Sequence, residues 1–397
     1  MKKRVVVGIP TYNEVKTVQE VTEKIDEGLR KYFKPEDCVI LNVDSESTDK
    51  TRLIFERTKT RVLKKSVNVK ERPRGKGRNL ITIFKIANNL SADYVLLIDA
   101  DVKTLTSEWV LKLLSPLTTQ GYDFCLPLYK RSRFEGNITN HFAYPLVYGF
   151  FGADIRQPIG GDFAFSRRFY TYLIKQPINT AILQYGIDIF ITCNSIAGGF
   201  KSTEAYLGEK IHNPSFYHMT PTFQDVFESG IFTTRNILLN SRWLKFGEHN
   251  LQKGNRSGID DVKLFRHKEF IPAVMSKCSE EFMKSEDKYI YYLGKYYSEC
   301  NNIITEGKLS LSADLWIDIL VKFISYCYKD EFDIRDLSII SRLVTPIYLW
   351  RAMSYWREVE HANSIDAEQK IIYQANIFRE KLAPFILRSK ETSKIGG

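Results

Sequence analysis

The chain has 397 residues, 44% of them hydrophobic and 26% charged, an ordinary soluble composition with enough length for one large core or two smaller ones. No apolar run reaches the roughly eighteen residues that span a bilayer, and the opening MKKRVVVGIPTYNE carries a basic tip whose apolar stretch stops at Pro10, so it reads as a first strand and not as a signal peptide. Six cysteines at 38, 125, 193, 278, 300 and 327 form no CxxC pair, which argues against a zinc knuckle or a disulfide framework and fits a reducing, cytoplasmic setting. The net charge of +10 suits nucleic acid, an anionic membrane face or a phosphorylated small molecule equally well.

The first 130 residues alternate short β-branched runs with longer amphipathic ones. RVVVGI (4–9) reads as a strand, 14–33 as a helix, CVILNV (38–43) as a strand and 48–58 as a helix. Residues 64–78, KKSVNVKERPRGKGR, hold seven basic side chains and one acid. They concentrate charge beside Gly75 and Gly77, where backbone could approach a phosphate. Helices over 77–91 and 107–119 flank the strand DYVLLI (93–98). This order predicts an α/β domain with a largely parallel sheet, in which ligands sit at the carboxyl ends of the strands. Three of those ends are polar: PTYNE (10–14), DSESTD (44–49) and DAD (99–101).

Residues 121–218 are richer in Gly, Pro and aromatics and read as the irregular second half of the same domain. The polar stretch EHNLQKGNRSGIDD (248–261) marks the boundary, giving a first domain over 1–247, a mainly helical one over 262–388 and a disordered tail over 389–397. Helices are expected at 284–299, 312–328 and 336–360, the last with Pro346 as a kink or start. Its aromatic stripe reads as core packing in preference to a membrane face, and the helical set could supply a homodimer surface.

The stretch VLLIDADVKT ends a buried run with Asp99 and Asp101. At strand spacing the two carboxylates point to one side and repel unless a cation lies beside them. Mg2+ or Mn2+ answers that repulsion, since both prefer carboxylate oxygens and share their remaining positions with substrate phosphates. The plain alternative is that one aspartate caps the next helix and the other faces water. Asp188 stands inside the apolar run LQYGIDIFIT, where an unpaired carboxylate is costly. Gly160-Gly161 is compatible with a simple turn.

IPTYNE at the first strand end, DSESTDKT at the second, the Gly-Lys-Gly opening of a helix at 75–77 and DAD at a later strand end together resemble the GT-A nucleotide-sugar glycosyltransferases. RSRFEGNIT (131–139), RQPIGGDFAFS (156–166), YGIDIFIT (185–192) and LGEKIH (207–212) look like blocks of the retaining synthases that make mannosylglycerate, glucosylglycerate and glucosyl-3-phosphoglycerate. The resemblance implies a GT-A domain with a helical C-terminal region. It places Pro10, Tyr12, Glu14, Asp44, Lys76, Asp99 and Ala100 at the donor nucleotide, and Gly160, Gly161 and Asp162 beside the donor sugar. A divalent metal, Mg2+, Mn2+ or Co2+, would be held by Asp99, Asp101 and His212. Arg131, Asn137, Thr139 and Asp188 would face a glycerate-type acceptor. Asn137 stands where phosphoglycerate-using relatives carry an arginine, which favours free D-glycerate, with Arg133 and Lys130 near enough in sequence to substitute.

The activity so implied moves a hexose from GDP-mannose, UDP-glucose or GDP-glucose to D-glycerate or 3-phospho-D-glycerate. No second carboxylate presents itself for a covalent route, so the resemblance favours front-face attack, with the metal and Lys76 stabilising the departing diphosphate and Asp188 orienting hydroxyls. A polyprenyl-phosphate sugar transferase shares IPTYNE and DAD but does not usually carry the QPIGGD and YGID blocks together. Nucleic-acid binding is disfavoured because no aromatics interleave with the basic 64–78 run.

Overall fold

A computed structural model describes residues 4–211, 219–240, 251–252 and 269–395. The chain gathers into two compact units: Met1–Lys130, Gln157–Met219 and Glu248–Ser257 form the first, and Arg131–Arg156, Thr220–Gly247 and Gly258–Gly397 the second. This differs from a single cut near 248–261, because two inner segments leave the first unit. Both carry helices, Tyr144–Phe151 and Met219–Asn240. The first of these is so apolar that seven of its eight residues are buried, which only a helical core of its own can satisfy. Of the 248–261 stretch, only Leu251–Gln252 is described.

The first unit is an eight-stranded sheet. Its strands are β1 (Val5–Thr11), β2 (Cys38–Asp44), β3 (Leu63–Asn68), β4 (Tyr94–Leu97), β5 (Phe124–Lys130), β6 (Ala164–Ser166), β7 (Ser202–Glu209) and β8 (Leu251–Gln252), in the order β3-β2-β1-β4-β6-β5-β7-β8. β6 runs antiparallel to both its neighbours and every other pairing is parallel. All seven residues of β1 are buried, as a central parallel strand requires. Its Val5, Val7 and Ile9 share a core with Ile40, Leu96, Trp109 and Leu113.

The strands expected over 4–9, 38–43 and 93–98 and the helices expected over 14–33, 48–58, 77–91 and 107–119 all form, with shorter bounds for most. β3 is the surprise. It takes its residues LKKSVN from what reads as a basic patch. It lies at the sheet edge, where charged side chains block further pairing.

The second unit is helical. The helix expected over 284–299 is broken in two, Glu286–Leu293 and Tyr297–Thr305, by a turn at Gly294 whose φ of 55° suits glycine. Pro346 lies inside the helix Leu337–Glu358 and not at its start. The aromatic side chains of that helix, Tyr348, Trp350, Tyr355 and Trp356, are all buried, as core packing predicts. The helix Ser364–Ile395 continues through most of the tail expected to be disordered, since residues 389–395 contain neither Gly nor Pro. Among the described residues no helix is long and apolar enough to cross a membrane.

A polar network is enclosed in this helical unit. His141 is fully buried, and its Nδ1 lies 3.2 Å from the Gln374 amide nitrogen. The same amide donates to the Asn140 carbonyl at 2.9 Å, while its oxygen accepts from Arg351 at 3.1 Å. Burial first, then the charge of Arg351, holds the imidazole well below its usual 6.5. A depressed histidine stays neutral in the fold while the unfolded chain takes up a proton below pH 6.5, so stability is present above that pH and lost on acidification. The fold should therefore be about 2 kcal/mol less stable at pH 5 than at pH 7 through this group alone. Urea melts of the wild type and of His141→Phe check this: the substituted protein should lose that part of the slope, and an unchanged slope would contradict it.

Candidate active site

The sheet brings distant segments of the first unit to one strand end. β4 stops at Leu97; the Leu97 amide then donates to the Phe163 carbonyl at 2.8 Å and the Asp99 amide to Asp162 Oδ1 at 2.7 Å. The antiparallel placement of β6 beside β4 thus sets the Gly160-Gly161-Asp162 turn against the DAD turn. From the other side comes the helix Lys76–Asn89. The Gly77 amide donates to the Gln184 carbonyl at 2.8 Å, and a Cβ at Gly77 would stand 1.8 Å from the Ile182 carbonyl oxygen. Only glycine allows the helix to start this close to the chain leading into the helix Ile187–Ala197, whose first turn carries Asp188. The glycines flanking Lys76 therefore serve a contact between two chain segments; sequence reading had assigned them to a phosphate.

Five charged side chains meet there. The Lys76 ammonium lies 2.9 Å from Asp99 Oδ1 and 3.2 Å from Asp188 Oδ2. The Lys210 ammonium lies 3.0 Å from Asp99 Oδ2 and 2.6 Å from Asp162 Oδ2. The Tyr129 hydroxyl also donates to Asp162. Three carboxylates thus share two ammoniums. Burial pulls both lysines toward the neutral form, but Asp188 and Asp99 beside Lys76, and Asp162 and Asp99 beside Lys210, outweigh it and hold both charged. Burial likewise opposes ionisation of Asp99, and Lys210 and Lys76 overcome it. For Asp162 and Asp188 burial prevails and their pKa values are raised. Asp188 Oδ1 is buried without a hydrogen-bond partner among the described residues, which leaves it an unused acceptor.

Lys76 retains a donor. An ammonium has three protons, and among the described residues Lys76 meets two acceptors. Lys210 meets three, the third being the Gly160 carbonyl at 3.1 Å. Lys210 is not among the residues expected from sequence: in LGEKIH the histidine two residues on carries a ligand signal and the lysine carries none.

The nucleotide-side residues surround the same strand ends. Pro10 is buried in β1, Tyr12 is half-exposed just beyond it and Ala100 is buried. Asp44 ends β2 and accepts from Thr11 Oγ1, the Ser47 amide (both 2.8 Å) and Ser47 Oγ (2.5 Å), so it first organises its own loop. Burial, then the charges of Asp101, Asp49 and Asp99, pushes the Glu14 carboxyl up to about 7. Asp99 and Asp101 carry the hard oxygen donors that Mg2+ or Mn2+ takes, but both Asp99 oxygens already meet ammoniums, Lys76 at 2.9 Å and Lys210 at 3.0 Å. Among the described residues no three metal-ligating side chains converge. The expected ligand His212 lies outside them. The chain reaches Ile211 with its amide on Thr104 Oγ1 at 3.1 Å and its carbonyl accepting from Lys103 at 2.8 Å.

Of the expected acceptor residues, Arg131, Asn137 and Thr139 belong to the second unit and Asp188 to the first. Asn137 donates to the Phe134 carbonyl at 3.3 Å and accepts from Trp356 Nε1 at 3.0 Å. Arg133 donates to the Val359 and Glu360 carbonyls at 3.0 and 3.3 Å, closing the end of the helix Leu337–Glu358. Arg131 and the buried Thr139 lie on either side of Gly136.

Gly161 has a φ of 95°, and a Cβ there would stand 2.3 Å from Asp99 Oδ2 and 3.1 Å from Lys76 Nζ. Gly161→Ala should therefore lower the melting temperature by roughly 5 °C, by displacing Asp99 and Lys76. Gly199→Ala, also at positive φ but with open space around it, should cost clearly less. Calorimetric melts of both variants check this, and equal melting temperatures would contradict it.

No curated protein matches the chain. Among solved structures it is similar to glucosyl-3-phosphoglycerate synthase from Mycobacterium tuberculosis in complex with Mn2+, UDP and phosphoglyceric acid, at 24% identity over 58% of this chain and 78% of that one, with a TM-score of 0.49. It is likewise similar to the same enzyme with Mg2+ and UDP, at 23% identity over 58% and 79%, with a TM-score of 0.49. At that level the likenesses carry no argument about the site. The family model described as glycosyl transferase family 2 matches residues 6–176, the span that holds β1 to β6, Lys76, the DAD turn and the Gly-Gly-Asp turn. Residues 6–176 are thus similar to the glycosyl transferase family 2 domain.

Proposed function

We propose that the protein is a metal-dependent retaining hexosyltransferase that moves glucose or mannose from a nucleoside diphosphate sugar to D-glycerate or 3-phospho-D-glycerate. The observation that carries this reading is the spare proton of Lys76, held between Asp99 and Asp188 where the strand ends meet the Gly-Gly-Asp turn. A group placed so suits the oxygen on which charge grows as the sugar leaves its diphosphate. A divalent ion at Asp99 and Asp101 would supply further positive charge to that leaving group.

In the transfer, the bond between the anomeric carbon and the diphosphate oxygen breaks and a bond from the acceptor hydroxyl oxygen forms on the same face. The acceptor proton passes to the departing diphosphate. Asp188 Oδ1, buried and unpartnered among the described residues, is suited to accept a hydrogen bond from a sugar or acceptor hydroxyl and so to orient it. Lys76 keeps its charge throughout.

Between the two acceptors, D-glycerate is favoured. Asn137, at the position of the relatives' arginine, already accepts from Trp356, and Arg133 already closes the end of a helix. A dianionic phosphate needs a fixed cation with free donors.

A panel of UDP-glucose, GDP-glucose and GDP-mannose against D-glycerate, 3-phosphoglycerate and a polyprenyl phosphate, each with Mn2+ and with EDTA, tests the reading. Nucleoside diphosphate should appear only with a glycerate acceptor and metal, and Lys76→Met should lower kcat roughly 100- to 1,000-fold. Turnover that requires the lipid, or none with any donor, would overturn it.

A further inference from the structure

Lys210 is left without a task by the transfer chemistry. Its side chain is 5% exposed, and all three of its protons have acceptors that lie 111, 48 and 50 residues away in sequence: Asp99, Asp162 and the Gly160 carbonyl. The ammonium also sits 5.0 Å from the centre of the Tyr129 ring. A cation so saturated has nothing to give a substrate, and its complete pairing offsets the cost of burying it. Asp162 is fully buried and, with Lys210 removed, would face Asp99 with no cation between them.

We propose that Lys210 is the positioning residue that fastens the Gly160-Gly161-Asp162 turn to Asp99, so that the strand-end site is assembled before a metal or donor arrives. Its charge is what matters: it joins two carboxylates that would otherwise repel. Lys76 is thereby left as the one ammonium of the pair with a proton for the donor. This last consequence rests on the nucleotide-sugar reading above; the fastening itself does not.

The test is a double-mutant cycle on the full chain in EDTA, with Lys210→Met, Asp162→Asn and the two combined, read by melting temperature. Lys210→Met should melt roughly 10 °C lower, because it strands buried carboxylates. The double variant should recover at least half of that loss, which a merely packing role for the lysine could not produce. Additive losses, or a Lys210→Met protein that melts like the wild type, would overturn the proposal. Should Lys210→Met not fold, Lys210→Arg and Lys210→Gln decide: the arginine should fold and the glutamine should not, and equal behaviour of the two counts against a role for charge. On whichever donor the wild type turns over, Lys210→Arg should hold kcat/KM within about threefold and the double variant should lose roughly 100-fold, mostly in donor KM. A double variant with wild-type donor KM would overturn the positioning role. A wild type silent on every donor, with the melting rescue intact, would sink the nucleotide-sugar reading and leave the fastening in place.

Discussion

Three carboxylates and two ammoniums held out of water at the end of a sheet set the terms for the rest of the first unit. Buried ions are tolerated only when each finds its partners with good geometry, so the segments bearing Lys76, Asp99, Asp162, Asp188 and Lys210 must arrive together or not at all. The backbone has been shaped to that end. Gly77 lets the Lys76 helix begin against the 182–184 segment, and Gly161 lets the turn lie flat on Asp99. The antiparallel β6 then places that turn beside β4. What results is a cluster one positive charge short of neutrality, near Glu14, whose carboxyl is raised by burial and by the charges of Asp101, Asp49 and Asp99. Such a place suits a divalent ion together with the diphosphate it would accompany.

The two lysines divide the work by proton count. One has every proton engaged and is part of the scaffold; the other has one to offer. The distinction does not come from residue type or burial, which are similar. It comes from the Gly160 carbonyl, which completes the pairing of Lys210 and has no counterpart at Lys76 among the described residues.

Much of this was legible in the sequence. The alternation of apolar runs gave the parallel sheet, and DAD, Gly-Lys-Gly, Gly-Gly-Asp and the lone acid at 188 all fall at one strand end. Lys210 was not legible, because a lysine after a strand carries no signal until the fold shows which carboxylates it meets. β3 was hidden for a related reason: its lysines read as a ligand patch, and only the strand order shows that they line an edge. The division into units was misread because apolar helices over 144–151 and 219–240 cannot be assigned to a core by their own pattern; three-dimensional clustering decides that. Pro346 shows a local rule giving way: every residue from Leu343 to Trp356 is buried, and a helix packed on all faces tolerates an interior proline.

The central claim is that the strand-end cluster receives a donor diphosphate through Lys76 while Lys210 stays fixed. A crystal structure of the protein with Mn2+ and UDP or GDP tests it most directly. The account predicts a phosphate oxygen about 3 Å from Lys76 Nζ, with Lys210 still bonded to Asp99, Asp162 and the Gly160 carbonyl. A diphosphate bound away from Lys76, or a Lys210 that has turned from Asp162 to meet it, would contradict the account.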